Sequence, residues 1–535
     1  MIKLQQLSII CQLAFLTGFC VDILTESILS FNPISGTQGR NNFVCVSISL
    51  FNVFYLLFSL YITFNLAVNN MKQLITSYVF FIIHFLCSFS SLICFKVLKD
   101  GASVIVSCFS AFNAAVLINM LYLKSKNENI KNIFDTENAQ LLVKDEELEK
   151  PKKCYQKYFT CSAVTFGVFG ALFAILVFMQ AAISAGSRNK SNPGYRIEFT
   201  STADHGKHGK KISFNMNCAG VANDLSTILF EVGGGSSMLD AVALQQYISS
   251  KKRRMCIYDR AGFGWSDFPI TPVYSGNRIF RDTYNMLVAS GEDLSHGLTI
   301  IGHSAGGEQA QIFAQLYPDL VRGLGILDAY PDYLEFNMKP VFNWTSSQIK
   351  ADQNRVRSVG RLYELVGSLS ILRWFWPKSN NFNPPELQKA HREQYVNNKN
   401  WAAQMLSFGN GNETTQILRE MAEKDAKNGL EIGINECKGV WSEQAACDVK
   451  WPKLKRDIPV LVIPAGTTVR KECDVTDHKC AIDKKGAEAY MNQAQLYKDT
   501  LSTKGKLIVG ENMTHGFVYE NFEWVGQQIL EWLTE

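Results

Sequence analysis

The 535-residue sequence has little charge and no imbalance of it. Lys and Arg number 53 against 49 Asp and Glu, a formal net charge of +4. No long basic run occurs, and the short Lys/Arg clusters are interleaved with acids. This excludes the electrostatic footprint of a nucleic-acid partner. No grouping of His, Cys and acidic residues has metal-ligand spacing, so no metal site is expected, and no other cofactor. The long apolar runs lack the acid–base pairs that would line an ion path. Charged residues are 19% and hydrophobic residues 47%, a balance that excludes disorder.

The average hides a break near residue 186. Before it the chain is mostly apolar runs, and after it an ordinary globular sequence, so a membrane domain over 1–186 and a globular domain over 187–535 are expected. A bilayer-spanning helix needs about 20 mostly apolar residues. Phe43–Val68, Leu74–Phe95, Ala102–Leu123 and Phe159–Ala185 meet that requirement. Leu4–Leu24, with Asp22 inside its end, is a weaker fifth run, read as a span because no small-residue cleavage site follows it. The connection Lys124–Lys157 carries eight lysines against seven acids, which places it in the cytosol under the Lys/Arg rule. Five spans then put everything after Ala185 in a lumen or outside the cell. The same loop contains the sequence ENAQLL (Glu137–Leu142), which resembles an acidic dileucine sorting signal.

Two further patterns point to the lumenal side. N-x-[ST] triplets begin at Asn189, Asn343, Asn412 and Asn512, so a glycoprotein is expected. Six cysteines follow residue 186. Cys437 with Cys447, and Cys473 with Cys480, sit in loop-like stretches where small disulfide loops could close in an oxidising compartment. Cys218 and Cys256 lie in apolar strand patterns and read as core residues.

From Tyr195 onward, short apolar β-branched runs alternate with helix-like segments. The runs are Leu225–Val232, Arg254–Asp259, Gly297–Gly302, Gly323–Asp328, Pro459–Ala465 and Lys506–Gly510. Strands apolar on both faces with helices between them predict a parallel sheet covered on both sides. Ligands bind such a sheet beyond the carboxyl ends of its strands. The alternation breaks over about 331–452, where no buried strand is recognisable. That stretch holds Trp344, Trp374, Trp376, Trp401, Trp441 and Trp451, and it reads as a helical cap inserted over the end of the sheet.

Gly302-His303-Ser304-Ala305-Gly306 is a G-x-S-x-G sequence between a strand pattern and a helix pattern. In that context Ser304 sits on a sharp strand-to-helix turn, the nucleophile elbow, and glycines are needed where strand and helix crowd its backbone. A serine hydroxyl needs a base. Of eight histidines, His515 in ENMTHGFV follows the last strand and is the candidate, while His303 reads as structural. An oxyanion hole needs two N–H donors. The Ala305 amide is one, and Gly234, in the VGGG after the first apolar run, is the other.

With these parts in place, Tyr195–Glu535 resembles the α/β-hydrolase family in its serine-hydrolase branch. YDRAGFGWSD (Tyr258–Asp267) and GHSAGGEQAQIFAQLYPDLVRGLGILDAYP (Gly302–Pro331) carry the resemblance beyond the elbow. It implies an eight-stranded, mostly parallel sheet with a helical cap before the seventh strand. Most members carry the triad acid just past that strand, where this chain reads PAGTTVRKECDVTD. Other members place it at the end of the sixth strand, where Asp328 stands here. Asp328 is therefore favoured, with Asp474 as the alternative. The expectation is a membrane-bound serine hydrolase of acyl esters, lipid-like or apolar, with peptidase and acyl-transfer chemistry sharing the same motif. A catalytically inactive membrane subunit with a hydrolase-like binding module is the alternative.

Overall fold

The computed structural model describes residues 192–201, 211–222, 224–267, 277–329, 383–396, 411–430, 450–469 and 478–535, with scattered positions between 345 and 363, at 400–404 and at 432–434. The chain divides into two units, and every described residue belongs to the second, Ser187–Glu364 with Phe375–Glu535. The five apolar runs of the first 186 residues lie outside the described residues. Among the described residues no helix is long and apolar enough to cross a membrane.

The sheet has eight strands: β1 (Tyr195–Thr200), β2 (Lys211–Ala219), β3 (Thr227–Glu231), β4 (Met255–Asp259), β5 (Leu298–His303), β6 (Val321–Leu327), β9 (Val460–Ile463) and β10 (Gly505–Leu507). Their spatial order is β1-β2-β4-β3-β5-β6-β9-β10. β1 and β2 are antiparallel, as are β2 and β4. All pairs from β4 onward are parallel. β3, β4, β5 and β9 are buried at every position, which is what strands covered on both faces require. β1, at the edge, alternates exposed and buried instead.

The helices between strands are α1 (Val242–Ser250), α2 (Asn277–Ser290), α3 (Ala305–Leu316) and α7 (His478–Thr500), and α9 (Phe522–Trp532) follows the last strand. Short helices α6 (Gly466–Val469) and α8 (Phe517–Glu520) follow β9 and β10. Ile228 and Phe230 of β3, Ile301, Leu327 and Ile463 form one core with Leu244 and Ile248 of α1 and Val525 and Ile529 of α9. Each such side chain stabilises the fold by about 1.5–3 kcal/mol relative to exposure. By strand alternation Leu229 and Ile300 face the other side of the sheet.

Three findings revise the sequence reading of this region. β1 and β2 are additional strands; β2 reads Lys211–Ala219 with Asn215 and Asn217 inside it, so its sequence lacks an unbroken apolar run. The inserted segment contains a two-stranded antiparallel sheet, β7 (Ile432–Ile434) and β8 (Lys450–Pro452), beside helices α4 (Pro385–Tyr395) and α5 (Gly411–Lys427). Three-residue strands are too short to show a period. Finally, Cys218 and Cys256 are not free core residues but a disulfide, because the β2–β4 register sets them opposite each other with Cα atoms 4.0 Å apart. The bridge closes a loop of sequence separation 38 that contains β3 and α1, a constraint on the unfolded chain of about 4 kcal/mol in the chain-entropy model. Cys437, Cys447 and Cys473, and the side chain of Cys480, lie outside the described residues.

Candidate active site

The centre of the site is the turn from β5 into α3. Ser304 has φ 56° and ψ −126°, a conformation that a residue with a side chain rarely adopts. Neighbouring backbone enforces it. A Cβ at Gly302 would stand 2.0 Å from the Gly306 carbonyl oxygen, and one at Gly306 would stand 2.5 Å from the Glu231 carbonyl oxygen. The Ser304 N–H donates to the Leu327 carbonyl at 2.9 Å, which ties the turn to the end of β6.

Three residues far apart in sequence meet here. The Ser304 hydroxyl lies 3.1 Å from His515 Nε2. His515 Nδ1 lies 2.6 Å from Asp328 Oδ2. Asp328 follows β6 directly, has φ 42°, and its side chain is 1% exposed against 44% for His515. Its two oxygens accept three hydrogen bonds: from Ala465 N at 2.9 Å, from the Thr468 hydroxyl at 2.9 Å, and from His515. Ala465 and Thr468 belong to the loop where most relatives were expected to carry an acid. Here that loop supplies donors to a carboxylate on the neighbouring strand. Asp474 lies outside the described residues.

The glycine loop after β3 stands beside the elbow. A Cβ at Gly234 would lie 3.6 Å from the Ala305 Cβ, so the two residues read as donors are neighbours. Among the described residues, the amides of Gly234 and Ala305 have no acceptor. Asp259, at the end of β4, anchors the exit of this loop: its carboxylate accepts from Met238 N at 2.9 Å and Trp265 N at 3.0 Å. That is the structural work of the YDRAGFGWSD segment.

His303 is buried and structural. Its Nε2 donates to the His515 carbonyl at 2.8 Å, and its Nδ1 lies 3.0 Å from the Tyr519 hydroxyl. Burial, and then the neighbouring His515, push its pKa down to about 4, so the ring is neutral at pH 7. Beneath the loop, Glu231 is fully buried and donated to by the Tyr258 hydroxyl. Burial pushes its carboxyl up to about 7 against the opposing charge of Arg260.

The insertion docks on the same corner. His391 Nε2 and the Tyr395 hydroxyl of α4 reach the two oxygens of Asp240 at 2.7 and 2.8 Å, in the turn after the glycine loop. Of the insertion's six tryptophans, Trp401 alone has a described side chain; it stacks on Tyr363 with ring centroids 4.6 Å apart and donates to the Tyr395 carbonyl. Among the described residues, the one group with metal-ligand geometry is Cys218, Cys256 and Glu292. Its two thiols are joined as the disulfide, and Glu292 is paired with Arg254.

This domain has an α/β-hydrolase fold. Residues 227–425, from β3 through most of α5, match the family described as alpha/beta hydrolase fold. The matched span holds Ser304 and Asp328, and His515 lies beyond it. Solved structures similar to the chain include a probable hydrolytic enzyme from Pseudomonas aeruginosa, at 16% identity over 64% of this chain and 95% of that one, with a TM-score of 0.42. A thermophilic esterase from Thermogutta terrifontis is similar at 19% identity over 64% and 98%, TM-score 0.40. An epoxide hydrolase from Vigna radiata is similar at 12% identity over 64% and 98%, TM-score 0.40. No curated protein matches the chain in sequence.

Sequence reasoning did not single out Thr468, Tyr519 or Arg260. Two of the three carry a visible signal: Thr468 lies in the loop PAGTTVRKECDVTD, where an acid was expected, and Arg260 lies inside YDRAGFGWSD. Tyr519 carries none.

Proposed function

We propose that the chain is a serine hydrolase of acyl esters. Ser304 Oγ attacks the acyl carbonyl carbon while its proton passes to His515 Nε2. The amides of Ala305 and Gly234 hold the oxygen of the tetrahedral intermediate. Collapse breaks the ester C–O bond, and the alcohol leaves with the proton from Nε2. Water, deprotonated by His515, then cleaves the acyl-enzyme to release the acid. Asp328 holds the Nδ1–H tautomer and stabilises the imidazolium. The observation that carries the reading is the chain of contacts Ser304–His515–Asp328, at 3.1 and 2.6 Å, with the serine on a strained elbow.

The substrate is a lipid-like or other apolar ester, a reading supported by the apolar runs of 1–186 in the same chain. We assign this domain to a lumenal or extracellular space, with the apolar runs spanning the membrane. The Cys218–Cys256 disulfide supports an oxidising compartment. Asn512, the one triplet asparagine with a described side chain, is exposed and available to a glycosyltransferase. Ser304→Ala tests the function. In membranes containing the full chain, the variant is expected to lose turnover of a short-chain p-nitrophenyl ester and labelling by a fluorophosphonate. Equal hydrolysis by the variant overturns the reading, and an unlabelled wild-type protein makes the domain a binding module.

A further inference from the structure

Gly233 is the one residue of the glycine loop whose backbone is held at both ends. Its N–H donates to the Tyr519 hydroxyl at 3.2 Å, and its carbonyl accepts from Arg260 Nη2 at 2.5 Å. The two side-chain partners are remote from it in sequence, Tyr519 by 286 residues, and the carbonyl also accepts from the Ser236 N–H at 3.2 Å. Arg260 is itself buried, with Nη1 on the Gln309 side chain of α3 at 3.1 Å. A Cβ at Gly233 would lie 3.1 Å from His303 Nδ1 and 3.3 Å from the Ser304 Cβ, so the turn is packed closely against the elbow.

The proton on each bridge has one consistent place. The His515 carbonyl can only accept, so His303 Nε2 carries hydrogen. The neutral ring then leaves Nδ1 bare, and it accepts from the Tyr519 hydroxyl. The Tyr519 oxygen keeps a lone pair for the Gly233 N–H. Burial, with Asp240 nearby, holds the Tyr519 hydroxyl protonated, as this arrangement needs. One directed chain therefore runs from the glycine loop through Tyr519 and His303 to the backbone of the base.

Peptide geometry gives the chain a consequence. The Gly233 carbonyl and the Gly234 N–H belong to one planar trans unit and point in opposite directions. A guanidinium on the carbonyl thus turns the Gly234 N–H away from Arg260. We propose that Tyr519 and Arg260 are positioning residues for the oxyanion hole, fixing Gly233 so that the Gly234 amide stays aimed at the carbonyl oxygen of the acyl group above Ser304. They touch neither substrate nor reacting atoms. The proposal rests on the serine-hydrolase reading above.

The test uses the full chain, a p-nitrophenyl ester, and an apolar trifluoromethyl ketone whose serine adduct carries an oxyanion. Losing one oxyanion donor outright costs about 10²–10³-fold in kcat. Tyr519→Phe, which loosens a donor, is expected to lower kcat by about 10- to 100-fold with KM changed less than about threefold. The ketone Ki should rise by the factor lost in kcat/KM. Arg260→Lys keeps the positive charge beside Glu231 and is expected to show the same split. Unchanged kcat and Ki in both variants overturn the proposal. So does a lower melting temperature with unchanged kcat, or a loss confined to KM. Wild-type-like turnover in Ser304→Ala fails the underlying serine reading instead, whatever the two variants do.

Discussion

Two loops flank the elbow, and they are built in opposite ways. The loop after β3, from Gly233 to Ser236, offers backbone donors and is held by side chains from elsewhere: Tyr519, Arg260 and, at its exit, Asp259. The loop after β9 uses its own Ala465 amide and Thr468 hydroxyl to hold a side chain from elsewhere, Asp328. A glycine loop can approach an oxyanion closely because it has no side chains, and its own hold on itself is the single turn bond from Ser236 N–H to the Gly233 carbonyl at 3.2 Å. The second loop works at ordinary side-chain distance from a carboxylate, so local chemistry suffices. Damage to the first loop therefore comes from residues distant in sequence, and damage to the second from its own.

The largest expected effect strikes what the second loop holds. Asp328→Asn should lower kcat by about 10⁴-fold with KM little changed, because the amide favours the wrong His515 tautomer. A loss under about tenfold in steady-state kinetics would mean that the β9 loop holds a carboxylate the reaction does not use. Next comes the loop's own contribution. Thr468→Val removes one of three donors to Asp328, and kcat should fall about fivefold, about 1 kcal/mol, the ordinary net value of one hydrogen bond. A fall as large as that of Asp328→Asn would erase the contrast between holder and held.

The smallest effect is on stability, at the root of the glycine loop. The unfolded chain ionises Glu231 near 4.5 and the folded chain near 7, so between those values unfolding releases a proton and stability falls as pH rises. Glu231→Gln should remove that slope, so its melting temperature should gain on the wild type from pH 4.5 to pH 7. A gap independent of pH would show that burial of the carboxyl does not bear on this loop. His303 acts in the opposite sense. Its folded value near 4 lies below the unfolded 6.5, so its contribution is full above pH 6.5 and is lost as pH falls toward 4.

Much of the sheet is legible in the sequence because doubly covered strands are apolar throughout. β3, β4, β5 and β9 coincide with such runs, β6 does so apart from its exposed Arg322, and β10, half-buried, overlaps the run Lys506–Gly510 at Lys506 and Leu507. β1 and β2 escape because one face of β1 is exposed and β2 holds two asparagines, one of them, Asn215, bonded to Asn192 and Asp259. The elbow is local, so five residues and their flanks announce it. The choice between Asp328 and Asp474 turns on a distance across the sheet, which no spacing encodes. The Cys218–Cys256 pairing depends on the antiparallel register of β2, a strand the apolar pattern does not reveal. Tyr519 is a tyrosine in a short helix, distinguished only by what it touches.

Considered as a folding problem, the ends of β5 and β6 hold two of the four non-glycine residues with positive φ among the described residues. Ser304 and Asp328 stand at neighbouring strand ends, and both have positive φ without being glycine. Each such position costs on the order of 1–3 kcal/mol, against a net stability of about 5–15 kcal/mol for a typical domain. The tension is carried by a ladder that does not stop where the strands do: Ser304 N–H bonds to Leu327, and Asp328 N–H bonds to Ile463 at 2.7 Å. Each strand thus restrains the awkward residue at the tip of its neighbour, so that β5, β6 and β9 work together as a cantilever loaded at its free end.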